Sequence, residues 1–463
     1  MFYILYFFGL LSTLHLHAQT KTKNIYDYII IGGGISGLYT GYTLQQKHPH
    51  ASFLILEKNT ELGGRTNNSS FGGTEVMEGA HVGRLEKDHL LYDLVKKLKI
   101  PHELFSVEFH YTPDFTHQPD FIMNHVKELQ KKYISYLETQ FQAHASFHLP
   151  SFKEFAISIM GEKTYDYFIH ATGYTDYQRE HAFEVLFHYG MEDNNQGWTG
   201  IKIPWDTLHE KLAETIGAQH IKNEHVVQSI DYTQNAQPEF TVFAKNKNKN
   251  VSYQTKNIIF ALPVGATNTI LQKSKTLQKI MSPISEIRSQ NFVRIYGDFK
   301  PRVIELLEKY IPKHSIVYSP LHYVIPMNAQ KGVYLLACSD NTDADLLRTH
   351  SKNTKANRSF FEKEVETAFK MPAGSLHNSL EKIHAFHWQE GTHYMVPPHS
   401  EHIIPHYMQE KDVKKALQKH KNNTLAQIRH PHPHIFLVGE GVSDNRGWVH
   451  EALKSVEYIM KKI

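Results

Sequence analysis

The sequence predicts an α/β fold of two domains, a Rossmann-like dinucleotide-binding domain and a second domain of mixed α+β structure. Three observations predict it. A glycine fingerprint, Gly32-x-Gly34-x-x-Gly37, lies between a short β-branched run (Tyr28 to Ile31) and an apolar helical pattern (Leu38, Tyr42, Leu44). An acid, Glu57, closes the next strand-like run (Ser52 to Glu57), 20 residues after Gly37. At 463 residues, the chain is longer than one ordinary core accommodates.

The chain opens with MFYILYFFGLLSTLHLHAQT, apolar from Phe2 to about Leu16. That run is shorter than the roughly 20 residues that cross a bilayer and matches the core of a signal peptide, with Leu16-His-Ala18 as a cleavage site. Residues 1–19 are therefore read as a signal peptide or an uncleaved anchor, although no Lys or Arg precedes the run. The protein is expected to be secreted or membrane-anchored through this segment, and otherwise cytoplasmic. No other contact with a membrane is expected.

In the fingerprint each glycine has a task. Gly32 allows the tight turn, Gly34 lets the backbone approach a pyrophosphate, and Gly37 lets helix and strand pack closely. The amides of Ile35 and Ser36 open the helix and face the phosphates with its positive dipole end. Glu57, followed by Lys58, is placed to accept the ribose hydroxyls of an adenosine half, and an acid there argues against a 2'-phosphate.

Composition excludes several classes. With 41% hydrophobic and 21% charged residues the chain is globular, and a net charge of +3 without clustered Lys and Arg gives no case for nucleic acid. There are 33 histidines, and their protonation below about pH 6.5 would add as many charges. The run His430-Pro-His-Pro-His434 has no thiolate or carboxylate beside it and reads as a loop, so no metal site is expected. The single cysteine, Cys338, lies in a strand-like run and cannot form an internal disulfide.

The fingerprint alone does not separate NAD from FAD. The stretch Leu56-Glu-Lys-Asn-Thr-Glu-Leu-Gly-Gly-Arg-Thr66 resembles the Gly-Gly-Arg segment of the flavin-containing amine oxidase superfamily, which includes monoamine, polyamine and L-amino acid oxidases. Gly64 would allow close approach and Arg65 would neutralise the pyrophosphate. The resemblance recurs along the chain. Glu78-Gly79-Ala80, followed by His81, is similar to the turn on which the flavin ring lies, and Val227 stands in the strand that meets the adenine end through its backbone. Asn257 to Pro263 and Trp388 to Pro398 also match. The C-terminal stretch IFLVGEGVSDNRGWVHEAL resembles the motif in which Gly439-Glu440 binds the ribityl-phosphate part, and Trp448-Val449 starts the last helix against the isoalloxazine.

The resemblance implies a two-domain flavoprotein with a discontinuous FAD-binding domain, residues 24–84, 200–270 and 384–463, and a substrate domain formed by 85–199 and 271–383. The first insertion opens on an amphipathic helix (Leu90, Leu91, Leu94, Val95, Leu98) stopped by Pro101. The implied reaction is oxidation of a C–N bond in a small-molecule amine or amino acid. Hydride passes to flavin N5, the imine is hydrolysed, and molecular oxygen is the acceptor with peroxide as product. The implied alternative is a protein of the same fold with lost or altered oxidase activity, or a related flavin oxidase or desaturase.

Several positions depart from the family pattern. Where family members carry a lysine that holds a water near N5, the best match is Arg294, which either faces the cavity or forms a structural ion pair. Trp448 supplies one aromatic wall for the amine, and the other falls among Thr392, His393 and Tyr394. His450-Glu451 replaces the Glu-Gly that usually follows the valine, removing a close backbone approach. Gly391 or Thr392 stands where monoamine oxidases attach the flavin to a cysteine, so non-covalent FAD is expected.

Overall fold

A computed structural model describes residues 25–115, 120–191, 197–236 and 239–463. The apolar leader lies outside the described residues. Among those described, no helix is long and apolar enough to cross a membrane.

The run of β-branched residues after Asp27 forms the strand Ile25–Ile31, and its continuous hydrophobicity has a simple cause: both faces are covered. Ile29 and Ile31 point into one core cluster with Leu54, Leu56 and Phe260, whereas Ile30 points into the opposite one with Leu38, Ile55 and Leu453. The strand pairs in parallel with Phe53–Leu56 on one side and Lys249–Phe260 on the other. Lys249–Phe260 continues into an antiparallel meander with Phe240–Asn246 and His225–Tyr232, and Ile435–Leu437 pairs with its far end. Residues from the front, middle and end of the chain thus share one seven-stranded sheet.

A second, six-stranded sheet is built around Ile287–Phe299, with Val333–Asp340 on one side and the long strand Leu380–Met395 on the other. One face packs on the helices Ile304–Tyr310, Asn341–Arg348 and Lys355–Ala368 through Val293, Ile295 and Leu336. The other meets the helices Asp120–Gln142, Phe152–Met160 and Glu162–Ala171 around Tyr133, Phe168, Tyr296 and Leu335. A small sheet of Gly83–Arg84, Glu103–Val107 and Trp198–Lys202 is formed by residues that fall in sequence between Phe53–Leu56 and His225–Tyr232 of the first sheet.

Two features of the C-terminal segment, expected from residue 384 to 463, bear on where it packs. The division at residue 384 falls inside Leu380–Met395, which pairs with the second sheet along its length. The helices Ile404–Glu410 and Val413–Arg429 place Tyr407, Ala416 and Leu417 in the core of the helical insertion. Apolar faces select their partners by packing, so a segment that returns to the cofactor sheet at Ile435 covers another core first. The helix His89–Lys97 forms as its pattern requires, burying Leu91, Leu94 and Val95.

Candidate active site

One continuous cavity of about 1150 Å³ runs between the two sheets. At one end it is lined by Glu57, Lys58, Val226 and Val227, and in the middle by Gly32, Gly34, Ile35, Ser36, Gly64 and Arg65. Further on it reaches Gly79, Ala80, His81, Gly439, Glu440, Trp448 and Val449, then Arg294, Tyr174 and Asp176 in the second domain.

The fit to a dinucleotide rests on local geometry. Gly32 has φ of +109°, and a Cβ on Gly37 would stand 2.0 Å from the Gly32 carbonyl oxygen, so both positions require glycine. Gly37 therefore acts beneath the cavity and does not line it. Helix Ile35–Lys47 begins after Gly34 with no side chain capping its amides, and helix Val449–Ile459 begins after Trp448 in the same way. Two uncapped helix N-termini thus open on one cavity, an arrangement suited to phosphates. The Glu57 carboxylate is oriented by the Gly33 amide at 2.7 Å and the Asn59 amide at 2.8 Å.

Arg65 and Glu440 meet at 2.9 Å. Arg65 also donates to the Gly391 carbonyl at 2.7 Å, and Glu440 accepts from the Gly447 amide at 3.0 Å and from His393 Nδ1 at 2.5 Å. Burial works against the Glu440 charge, but His393 and Arg65 hold its pKa down at about 2. His393 is itself buried. The Val264 amide donates to its Nε2 at 3.2 Å, which fits a neutral ring with the proton on Nδ1. Desolvation disfavours a second proton, yet Glu440 and Glu390 outweigh it and raise the pKa.

The ring of Trp448 is fixed from outside the motif. Its Nε1 donates to Asp88 Oδ2 at 2.7 Å, and the same carboxylate accepts the Arg84 amide. Trp388 Nε1 donates to the Glu78 carbonyl at 2.8 Å, pinning the turn through Gly79, whose Cβ would stand 2.2 Å from the Arg65 carbonyl oxygen. Trp205 Nε1 reaches the His81 carbonyl at 3.1 Å. Burial, with Arg294 and His314 nearby, drives the His81 pKa well down, so this ring is neutral.

One expectation about the amine walls needs correction: Tyr394 does not line the cavity. His393 does line it, with its ring held by Glu440. Thr392 stands at the cavity too. Between the pairs Gln290↔Thr392 and Phe292↔Trp388 the long strand bulges, setting Gln389, Glu390 and Gly391 against Asn291 alone. That bulge re-aims side chains beside the site. It carries Glu390 to the amides of Gly265 and Ala266, and turns the Gly391 carbonyl towards Arg65.

Arg294 is buried at the cavity wall and, among the described residues, makes no ion pair with a carboxylate. The structural ion pair considered for it is therefore not formed. Burial opposes its charge, but Cys338, Tyr296 and Tyr174 face it and raise its pKa. Residues that motif reading missed include Asp88, Asp176, His314 and Glu390. Asp88 immediately precedes a helix, a position that reads as an ordinary cap, and the others carry no local sequence signal.

Two solved structures share this architecture. A triple mutant of putrescine oxidase redesigned for cofactor binding has a TM-score of 0.67 at 13% identity, covering 95% of this chain and 99% of that chain. Cyclohexylamine oxidase from Brevibacterium oxydans has a TM-score of 0.65 at 15% identity, with the same coverage of 95% and 99%. A 78-residue stretch is 35% identical to an uncharacterised protein of Acanthamoeba polyphaga mimivirus, spanning 16% of this chain and 15% of the length of that relative. The family match is far longer and takes in the helix of the glycine fingerprint and the Trp448 helix start: from residue 35 to 456 the chain belongs to the flavin-containing amine oxidoreductases.

Proposed function

We propose that this protein is an FAD-dependent amine oxidase that oxidises a C–N bond of a small-molecule amine or amino acid with oxygen as acceptor. The observation that carries the reading is the continuity of the cavity from Glu57 past Arg65 and Glu440 to Trp448 and Arg294. A dinucleotide site and a substrate wall therefore form one space. When bound, FAD supplies the hydride acceptor, which oxygen regenerates with hydrogen peroxide as product.

The residues of the chain bind, orient and exclude water. Glu57 is placed for the adenosine ribose, and the two helix N-termini with Arg65 for the pyrophosphate. Trp448, held by Asp88, offers a flat face beside the ring, and Tyr174, Phe292 and Tyr323 give the substrate end an aromatic, water-poor lining. Gly391 and Thr392 offer no thiol for flavin attachment, and burial pushes the Cys338 thiol pKa up. FAD is accordingly held non-covalently.

The test is anaerobic mixing of purified holoenzyme with a panel of primary amines and amino acids that includes 1,4-diaminobutane and cyclohexylamine. Bleaching of the flavin band by at least one compound, then peroxide on admitting air, is the expected result. A panel that leaves the band unchanged would sink the oxidase reading. The apolar run from Phe2 to Leu16 supports export or anchoring, which N-terminal sequencing of protein from an exporting host would check by locating cleavage after Ala18.

A further inference from the structure

Beyond Trp448 the cavity wall holds a carboxyl group that no cofactor-holding contact uses. Among the described residues, three buried carboxylates line the cavity: Glu57, Asp176 and Glu440. Glu57 is satisfied by two amides, and Glu440 by Arg65, His393 and the Gly447 amide. Asp176, only 9% exposed, has no ion-pair partner among the described residues, and its side chain accepts the neutral Tyr189 hydroxyl on Oδ1.

Its position is tied to the amine wall. Gln290 Nε2 donates both to the Asp176 carbonyl and, at 3.1 Å, to Thr392 Oγ1. The Thr392 methyl lies 4.0 Å from the point where a Cβ on Gly447 would stand, and Gly447 precedes Trp448. Asp176, Thr392 and Trp448 therefore follow one another around a single stretch of wall.

The surrounding charges leave Asp176 uncompensated. Arg446 is held by Glu180 at 2.6 Å and Glu184 at 3.0 Å, and Asp340 is bonded by Thr175 and faced by His322. Tyr177 and Cys338 also face Asp176, and Arg294 approaches from across Tyr174. Burial first, then Asp340, Glu180 and Glu440, raise the Asp176 pKa well above the usual carboxylate range, and the Tyr189 hydroxyl opposes them.

We propose that Asp176 is the proton acceptor for the substrate, taking a proton from the ammonium nitrogen inside the cavity to leave the free amine that oxidation requires. An N–H bond breaks and an O–H bond forms, the carboxylate becomes a carboxylic acid, and no electrons are exchanged. Because the step converts two opposite charges into two neutral groups, a water-poor cavity favours it. The inference rests on the amine-oxidase reading above.

The test is anaerobic stopped-flow reduction of FAD-loaded enzyme by cyclohexylamine and 1,4-diaminobutane from pH 6 to 10. In wild type the reduction rate falls on the acid side as Asp176 gains its proton. Asp176→Asn is expected to reduce about 100-fold more slowly near neutral pH and to recover as the pH approaches that of the free amine. Its FAD content, read from the flavin spectrum, should match wild type. Tyr189→Phe removes a hydrogen bond that favours the charged carboxylate, so its acid limb should move to higher pH. An Asp176→Asn enzyme with the wild-type rate and limb would overturn the inference, as would an unshifted limb in Tyr189→Phe. Failure of the wild type with every amine instead overturns the amine-oxidase reading, and the inference with it.

Discussion

Glu440 keeps its charge in a buried site because Arg65, His393 and the Gly447 amide converge on it. Its folded pKa of about 2 lies below the ordinary 4.5, so its stabilisation is complete above 4.5 and is lost as pH falls through 2. His393 has the opposite sign. Its pKa is raised above 6.5, so the contribution of its charged form is complete below that value and fades as pH rises through the raised pKa. Glu440→Gln should therefore cost most between about pH 4.5 and 6.5, by roughly 2–3 kcal/mol once the partial exposure of Arg65 is allowed for. Urea denaturation of FAD-free protein at pH 3, 5.5 and 8 measures this. An equal cost at all three would show that the charges around Glu440 do not act as a unit.

At the scale of elements, the bulge in Leu380–Met395 links the second sheet to the cofactor site. Its Glu390 caps helix Val264–Leu271, accepting from Gly265 at 2.6 Å and Ala266 at 3.2 Å. Glu390→Ala should cost about 1–2 kcal/mol as a lost cap and lower the unfolding temperature by a few degrees, whereas Glu390→Gln should retain most of that stability. Calorimetry on both variants decides, and equal losses would mean that the negative charge, not the accepting oxygen, matters. The same bulge explains what the sequence made legible. Gly32, Glu57, Arg65 and Trp448 belong to motifs whose spacing is set by a turn or a helix start, so they could be read residue by residue. The roles of Thr392, His393 and Tyr394 depend on three residues opposing one across a ladder, a parity that no local pattern records. Asp176 was out of reach for another reason: it lies in a helical insertion and is brought to the wall by Gln290, 114 positions away.

Over the whole molecule, the cofactor site joins segments far apart in the chain. Helix Ile35–Lys47 contacts the last helix through Tyr39 and Glu457 at 2.8 Å, Arg65 meets Glu440, and Asp88 meets Trp448. A ligand that fills the space between them binds the folded arrangement and not the unfolded chain, so it must stabilise the protein by mass action. FAD at 100 times its dissociation constant should contribute about 2.7 kcal/mol. If the attachment is non-covalent, as proposed from the missing thiol at Gly391 and Thr392, acid should release free FAD, and the stripped protein should regain its melting temperature as FAD is added back. In the proposed placement the two uncapped helix N-termini and Glu57 address the pyrophosphate and adenosine, which riboflavin lacks. Riboflavin at the same concentration should thus give little shift, and ADP, which lacks the flavin, an intermediate one. A shift with riboflavin as large as that with FAD would mean that the ring contacts around Trp448 hold the cofactor and the glycine fingerprint does not. Flavin that stayed on the acid-denatured polypeptide would overturn the non-covalent assignment itself.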